Sequence, residues 1–242
     1  MLRNYCVNIR EELALKLCER DFVIDKTGVK CIEIVNASFI ANEDHLFGAV
    51  NHEYVARELK WYESMSLNVS DIPGEVPAIW KAVSSSKGEI NSNYGWAIWS
   101  EENGNQYWNV VGELKKNPFS RRATMIYNRP SMWKDYNRDG MSDFMCTYST
   151  QHFIRKGELV TSVFMRSNDA WAGYRNDWHW QNHVHQLLAK ELDVPAGKLF
   201  WNVGSLHVYE KQFYLVHHYV ETRETHITKD KYREEYPDSE WV

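Results

Sequence analysis

The stretch Asp143-Phe-Met-Cys146-Thr-Tyr-Ser149 is followed along the chain by Arg166-Ser167-Asn168-Asp169, then Gly173, then Asn176-Asp177. Apolar, aromatic and β-branched residues around the cysteine predict a strand over Phe144–Phe153. Gly157 predicts a turn into a second strand, Leu159–Met165, and Trp171–Leu192 predicts a long helix with a polar face. A cysteine in an apolar strand is ordinarily a small core filler. One followed by a guanidinium, a hydroxyl, carboxylates and amides carries different chemistry. Positive charge favours the thiolate, which is the nucleophilic form, and the remaining groups can hold an anion and a heterocycle.

Outward from this stretch, helices and strands interleave. Ile9–Arg20 carries Leu13, Leu15, Leu17 and Cys18 and predicts a first helix; Gly28 marks a turn, and Lys30–Ala41 predicts a strand. Asn51–Ser64 predicts a helix with Val55, Leu59 and Tyr62 on one side. Pro73-Gly74 predicts a turn, Pro77 the first turn of a short helix, and Ser84–Gly88 a loop. Gln106–Lys116 predicts a helix, Ala123–Asn128 and Leu199–Tyr209 predict strands, and the charged tail after Thr222 predicts irregular structure. With no repeat or linker to divide it, residues 1–242 are expected to form a single catalytic domain of mixed α/β class with one large sheet.

The 242 residues suffice for a full core, and a formal charge of -5 is no footprint for a nucleic-acid polymer. A nucleotide partner is therefore expected to be a monomer. Apolar runs such as Phe213–Val216 fall far short of the roughly 20 residues of a membrane span. Met1-Leu-Arg-Asn-Tyr-Cys6 lacks a signal-peptide core, and the four cysteines show no paired spacing, so a cytoplasmic protein with free thiols is expected. The 11 Trp and 14 Tyr suit a site that stacks flat rings, although most must be core.

The order Cys146, Arg166-Ser167-x-Asp169, Gly173, Asp177 resembles the thymidylate synthase superfamily. So do Asp25-Lys26-Thr27-Gly28, Glu58-Leu-Lys-Trp61, Ile79-Trp80, Tyr94-Gly95, Ser120-Arg121-Arg122 and Trp201-Asn-Val-Gly-Ser-Leu-His207-Val-Tyr209. The family usually has Arg where Lys26 stands, Asn where Asp177 stands and His where Thr147 stands. Asp177, Lys26 and the run Lys87–Trp99 look like the branch of the family, found in T-even-type bacteriophages, that hydroxymethylates deoxycytidylate. For a phage protein the expected location is the host cytoplasm.

The resemblance implies a large mixed β-sheet flanked by helices, with sheets packed back to back in a homodimer whose active sites are shared across the interface. It implies Cys146 as nucleophile at C6 of the pyrimidine, Glu58 as proton shuttle and Asp177 as reader of the base. Lys26, Arg121, Arg122, Arg166 and Ser167 would bind the 5′-phosphate, with the two adjacent arginines reaching from the partner subunit. His207 and Tyr209, two apart on a predicted strand, share a face and would hold the sugar 3′-hydroxyl. Tyr94 and Asp169 would border the nucleotide, and Trp80, Asp169 and Gly173 the folate. The substrates implied are dCMP and 5,10-methylenetetrahydrofolate, with no metal. The alternative is methylation or hydroxymethylation of dUMP. An ending at Ser239-Glu-Trp-Val242, without the apolar tail that closes over folate in the synthases, favours capture of water.

Each residue also has a blander reading. Glu58 could be an exposed helical charge, Arg121-Arg122 a solvated basic pair, Trp80 core, and Asp177 a cap for the helix after Gly173. His179, His183 and His185 include a helical i, i+4 pair but lack the Glu of a His-Glu-x-x-His site. Asn137-Arg-Asp-Gly140 lacks the alternating acids of a calcium loop and predicts a turn.

Overall fold

A computed structural model describes residues 4–241. In chain order the elements are α1 (Cys6–Cys18), β1 (Val23–Ile24), β2 (Lys30–Ile40), α2 (His52–Glu63), α3 (Ala78–Val83), α4 (Tyr94–Trp99) and α5 (Gln106–Lys116). Then come β3 (Thr124–Ile126), α6 (Met132–Asp135), β4 (Thr147–Arg155), β5 (Glu158–Asp169), α7 (Ala172–Glu191), β6 (Ala196–Tyr209), α8 (Phe213–Thr222) and α9 (Lys229–Glu235). The strands hydrogen-bond in the order β1-β2-β6-β5-β4-β3. β2 and β6 run antiparallel with Cys31 opposite Tyr209 and Glu33 opposite His207, and β3 and β4 are antiparallel with Met125 opposite Thr150. The mixed α/β class with one large sheet is what the sequence implies.

The chain divides into two compact units. One gathers the described residues of Met1–Val50, Met165–Asn182 and Lys198–Val242; the other gathers Asn51–Phe164 and His183–Gly197. In the first unit, α1 packs on β2 and α8. Leu13 and Leu17 are buried whereas Leu15 is exposed, because residues two apart on a helix face different ways. Ile9, Leu13, Ile32, Phe39, Trp201, Val203, Leu206 and Phe213 make its core. Burying each large aliphatic or aromatic side chain contributes about 1.5–3 kcal/mol before chain entropy is charged.

In the second unit, α2 packs on α4 and α4 on α5. Trp61, Tyr62, Ile98, Val110, Leu114, Met125 and Tyr127 are buried there. Gly95 lets α4 approach α2: a Cβ on it would stand 1.8 Å from the Tyr62 carbonyl oxygen. On α2 the buried residues are Val55, Glu58, Trp61 and Tyr62, so the core-facing stripe includes Glu58, with Leu59 beside it half-buried.

Three expectations need correction. β4 starts at Thr147, so Cys146 stands at the bend ahead of the strand and not within it. The cause is a long-range clamp. The Asp143 carboxylate accepts from the Asn91 N–H (2.7 Å), the Ser92 N–H (2.7 Å) and the Ser92 hydroxyl (2.7 Å), while the Ser142 N–H donates to the Val83 carbonyl. These bonds take the backbone before Cys146 off the ladder. The tail after Thr222 contains α9, capped by the Thr228 hydroxyl, with Tyr232 fully buried and bonded to His217 and Ser239. Pro77 is the cap residue of α3, one position before the first turn.

Candidate active site

In the second unit, Asn51 caps α2 by accepting from the Tyr54 N–H at 3.0 Å. Tyr54 and Glu58 are four apart and share a helix face. The Tyr54 hydroxyl donates to Glu58 Oε1, and Trp80 Nε1–H from α3 donates to Tyr54 Oη (2.9 Å) and to Glu58 Oε1 (3.3 Å). Trp80 stands edge-on to Trp61, ring centroids 5.1 Å apart. Glu58 is therefore no solvated helical charge: it is 6% exposed. Burial pushes its carboxyl up to about 7, against the two hydrogen bonds, which pull it down. A carboxyl that changes charge near neutrality is suited to taking up and releasing a proton.

That raised value has a stability consequence. A group raised on folding stabilises fully below its unfolded value, about 4.3, and the contribution is lost as pH climbs through about 7. Glu58→Gln cannot ionise. Its unfolding free energy should gain on the parent's between pH 4.5 and 7, by an amount on the order of 3 kcal/mol, and then level off. Denaturant unfolding at pH 4.5 and pH 8 checks this, and a difference that does not move with pH would contradict it.

Cys146 is partly exposed, and its Sγ lies 4.0 Å from the Phe144 carbonyl oxygen. Thr147 beside it is fully buried, with no hydrogen-bond partner for its hydroxyl among the described residues. Tyr94 is 4% exposed, its ring stacked on Tyr62 and edge-on to Tyr127. Arg121 and Arg122 lie on the surface; Arg122 pairs with Glu113 at 2.9 Å. With the Arg122 side chain 80% exposed, that pair is worth under about 1 kcal/mol and holds the guanidinium lightly. A cleft of about 360 Å³ in this unit is lined by Asn91, Trp96, Arg129, Asp135 and Arg138 among others, and by none of the expected site residues.

In the first unit, Asp25 builds a tight turn. Its Oδ1 accepts from the Thr27 N–H, the Thr27 hydroxyl and the Val29 N–H, and Gly28 supplies φ +83. Those bonds, the Thr27 hydroxyl foremost, hold the Asp25 carboxyl below the usual range. Lys26 projects from the turn into solvent. Arg166 and Ser167 lie on β5, and Gly204 on β6 must lack a side chain, because a Cβ there would come within 2.8 Å of the Arg166 carbonyl oxygen. Asp169 caps α7: its carboxylate accepts from the Trp171 and Ala172 N–H groups, each at 3.1 Å.

Asp177 is thereby released from the capping role. Instead Asn168, 3% exposed, donates from Nδ2 to Asp177 Oδ2 at 2.8 Å and accepts from Trp201 Nε1–H at 3.2 Å through Oδ1. An indole N–H can only donate, so the Asn168 amide has one possible orientation. A Cβ on Gly173 would lie 3.1 Å from Asn168 Nδ2, so its absence keeps this link unstrained. Asn168 was visible in the quoted motif, but nothing local marks it as the residue that orients Asp177.

On β6, His207 and Tyr209 share a face, their rings 4.8 Å apart and edge-on. The Ser205 hydroxyl donates to Glu33 and lies 3.3 Å from His207 Nδ1. With its proton committed to Glu33, Ser205 can only accept from Nδ1–H, which leaves His207 Nε2 as an acceptor for a hydroxyl.

The histidines of α7 have other partners. His179 lies 3.7 Å from Asp44 and His183 3.2 Å from Glu63. His185 is buried against the Thr161 hydroxyl and the Gly197 carbonyl.

A family model for thymidylate synthase matches residues 21–236. The chain belongs to the thymidylate synthase family. It is 58% identical over 231 residues to the deoxycytidylate 5-hydroxymethyltransferase of Enterobacteria phage T4, covering 93% of this chain and 94% of that one. It is 57% identical over 235 residues to the enzyme of the same name from Enterobacteria phage T6, covering 94% and 96%. A thymidylate synthase of Bacillus licheniformis is 28% identical over 163 residues, 64% of this chain and 56% of that one. Among solved structures, thermostable thymidylate synthase A from Bacillus subtilis superposes with a TM-score of 0.64 at 22% identity, over 84% of this chain and 81% of that one; this shows the thymidylate synthase fold.

Proposed function

We propose that this member of the family transfers a one-carbon unit from 5,10-methylenetetrahydrofolate to C5 of dCMP and completes it with water, giving 5-hydroxymethyl-dCMP and tetrahydrofolate. The observation that carries the choice of base is Asp177 held by Asn168, where the family usually has asparagine. The names of the phage relatives support it.

In this reading the Cys146 thiolate forms a bond to C6, and the electron pair it displaces makes C5 nucleophilic. The folate supplies the methylene carbon that C5 takes. Glu58 accepts a proton and returns it, which its near-neutral ionisation allows. C5 then loses its proton as the bond from the transferred carbon to the folate nitrogen breaks and tetrahydrofolate leaves; water adds to the exocyclic methylene so formed, and the C6–S bond breaks to restore the thiolate. Arg166, Ser167 and Lys26 bind the phosphate, and His207 Nε2 and Tyr209 hold the sugar hydroxyl. Trp80, half-buried beside Glu58, presents a flat indole suited to a pterin ring.

The active form is a homodimer to which Arg121 and Arg122 contribute across the interface. Their exposure on one protomer, with Arg122 only lightly held by Glu113, supports this. Val35 is an apolar strand residue left 73% exposed on one protomer, as a sheet that packs on a partner's would leave it.

The test is the fate of the cofactor. Turnover of dCMP should release tetrahydrofolate without the absorbance change of dihydrofolate. Stoichiometric dihydrofolate would mean hydride capture and a methyl product.

A further inference from the structure

The Glu58 group contains one more assignment. Trp80 Nε1–H can only donate, so Tyr54 Oη must accept from it, and the single hydroxyl proton of Tyr54 is committed to Glu58 Oε1. Burial first, then the neighbouring Glu58 charge, pushes the Tyr54 phenol well above its usual range, so it remains a donor at every working pH. Oε1 thus receives the Tyr54 hydroxyl proton and the longer, 3.3 Å branch of the Trp80 N–H that it shares with Tyr54 Oη, while Oε2 has no hydrogen-bond partner among the described residues. An oxygen already faced by donors is a poorer seat for a proton than one that faces none.

The geometry points to Tyr54 as a positioning residue that ties up Glu58 Oε1 and leaves Oε2 as the oxygen through which the proton comes and goes. This rests on the reading of Glu58 as proton carrier. The surroundings leave the role to Tyr54 and Trp80. On α2, Arg57 acts on Tyr54. On α3 the ionisable residue is Lys81, which is exposed. On α4 it is Tyr94, whose ring stacks on Tyr62.

The experiment follows the Glu58 carboxyl by carbon NMR in the full-length protein, alongside the pH profile of kcat with dCMP and methylenetetrahydrofolate. Glu58→Gln identifies the signal by removing it, and must also collapse turnover if Glu58 carries the proton. Tyr54→Phe deletes one donor to the charged form. It should raise the titration midpoint, and the matching limb of the kcat profile, by about one pH unit or more, since a hydrogen bond to the charged form favours that form. KM for dCMP should hold. 3-Fluorotyrosine at 54 keeps shape and packing but donates more strongly, so it should lower the midpoint. It also keeps the test alive if the phenylalanine variant folds poorly. Opposite movements establish the role, which a merely structural residue would not produce. An unmoved midpoint in a folded variant, with Glu58→Gln inactive, overturns the proposal for Tyr54 alone. An active Glu58→Gln overturns the reading of Glu58 beneath it.

Discussion

Cys146→Ser should lose turnover by about a hundredfold or more while keeping its fold and its affinity for dCMP. Individual catalytic groups commonly supply about 10²–10⁴ in rate, and a serine hydroxyl at neutral pH yields far less anion than a thiol. Structure argues that binding survives. Cys146 is partly exposed at a bend, the Asp143 clamp to Asn91 and Ser92 that sets the preceding backbone is independent of it, and serine nearly matches cysteine in shape. Steady-state kinetics with a nucleotide-binding measurement decide the matter; more than about a tenth of parent activity would remove Cys146 from the nucleophile's role. The same lesion tests the shared site. A Cys146→Ala subunit paired with an Arg122→Ala subunit should regain activity, since one site of that heterodimer has both groups intact. No recovery in a verified heterodimer would count against the crossed arrangement.

Asp177→Asn should turn the protein's preference from cytosine toward uracil. A carboxyl can accept from the 4-amino group of cytosine while a proton is shared with N3; against uracil its oxygens meet O4 and are repelled. In the variant the Asn168 amide cannot turn, because Trp201 Nε1–H fixes its Oδ1. Asn168 Nδ2 therefore still requires an acceptor at position 177. The new asparagine must present its carbonyl to Asn168 and its NH₂ outward. An outward NH₂ matches O4 of uracil and opposes the 4-amino group of cytosine. The ratio of kcat/KM for dCMP over dUMP should fall at least about tenfold, roughly 1.4 kcal/mol, and sites of this kind can discriminate far more. Because Asn168 and Trp201 set the orientation, Asn168→Ala should partly relax the change. An unmoved ratio in Asp177→Asn would leave Asp177 without a part in base choice.

The sequence was most legible where spacing is local. Gln106–Lys116 is a helix to the residue, and β2 is the strand expected of Lys30–Ala41. His207 and Tyr209 share a face because a strand alternates. What could not be read is what distant residues impose. Glu58 reads as an ordinary charge between Arg57 and Leu59 until Trp80 arrives from another helix to bury it and donate to it. Asp177 reads on paper as a possible cap for the helix after Gly173; only the fold shows Asp169 taking that role and Asp177 turning to Asn168. Cys146 reads as strand because its neighbours are apolar, yet Asp143 draws the preceding backbone onto Asn91 and Ser92. The helix α9 hid behind a high charge density, and its anchor is Tyr232, whose partners His217 and Ser239 lie on either side of it in sequence.

The central claim is that dCMP is the substrate and water the final nucleophile. Mass analysis of the nucleotides formed when the protein meets equal dCMP and dUMP with 5,10-methylenetetrahydrofolate tests both halves at once. The account predicts 5-hydroxymethyl-dCMP with dUMP largely untouched. A methylated nucleotide, or conversion of dUMP in preference to dCMP, would contradict it.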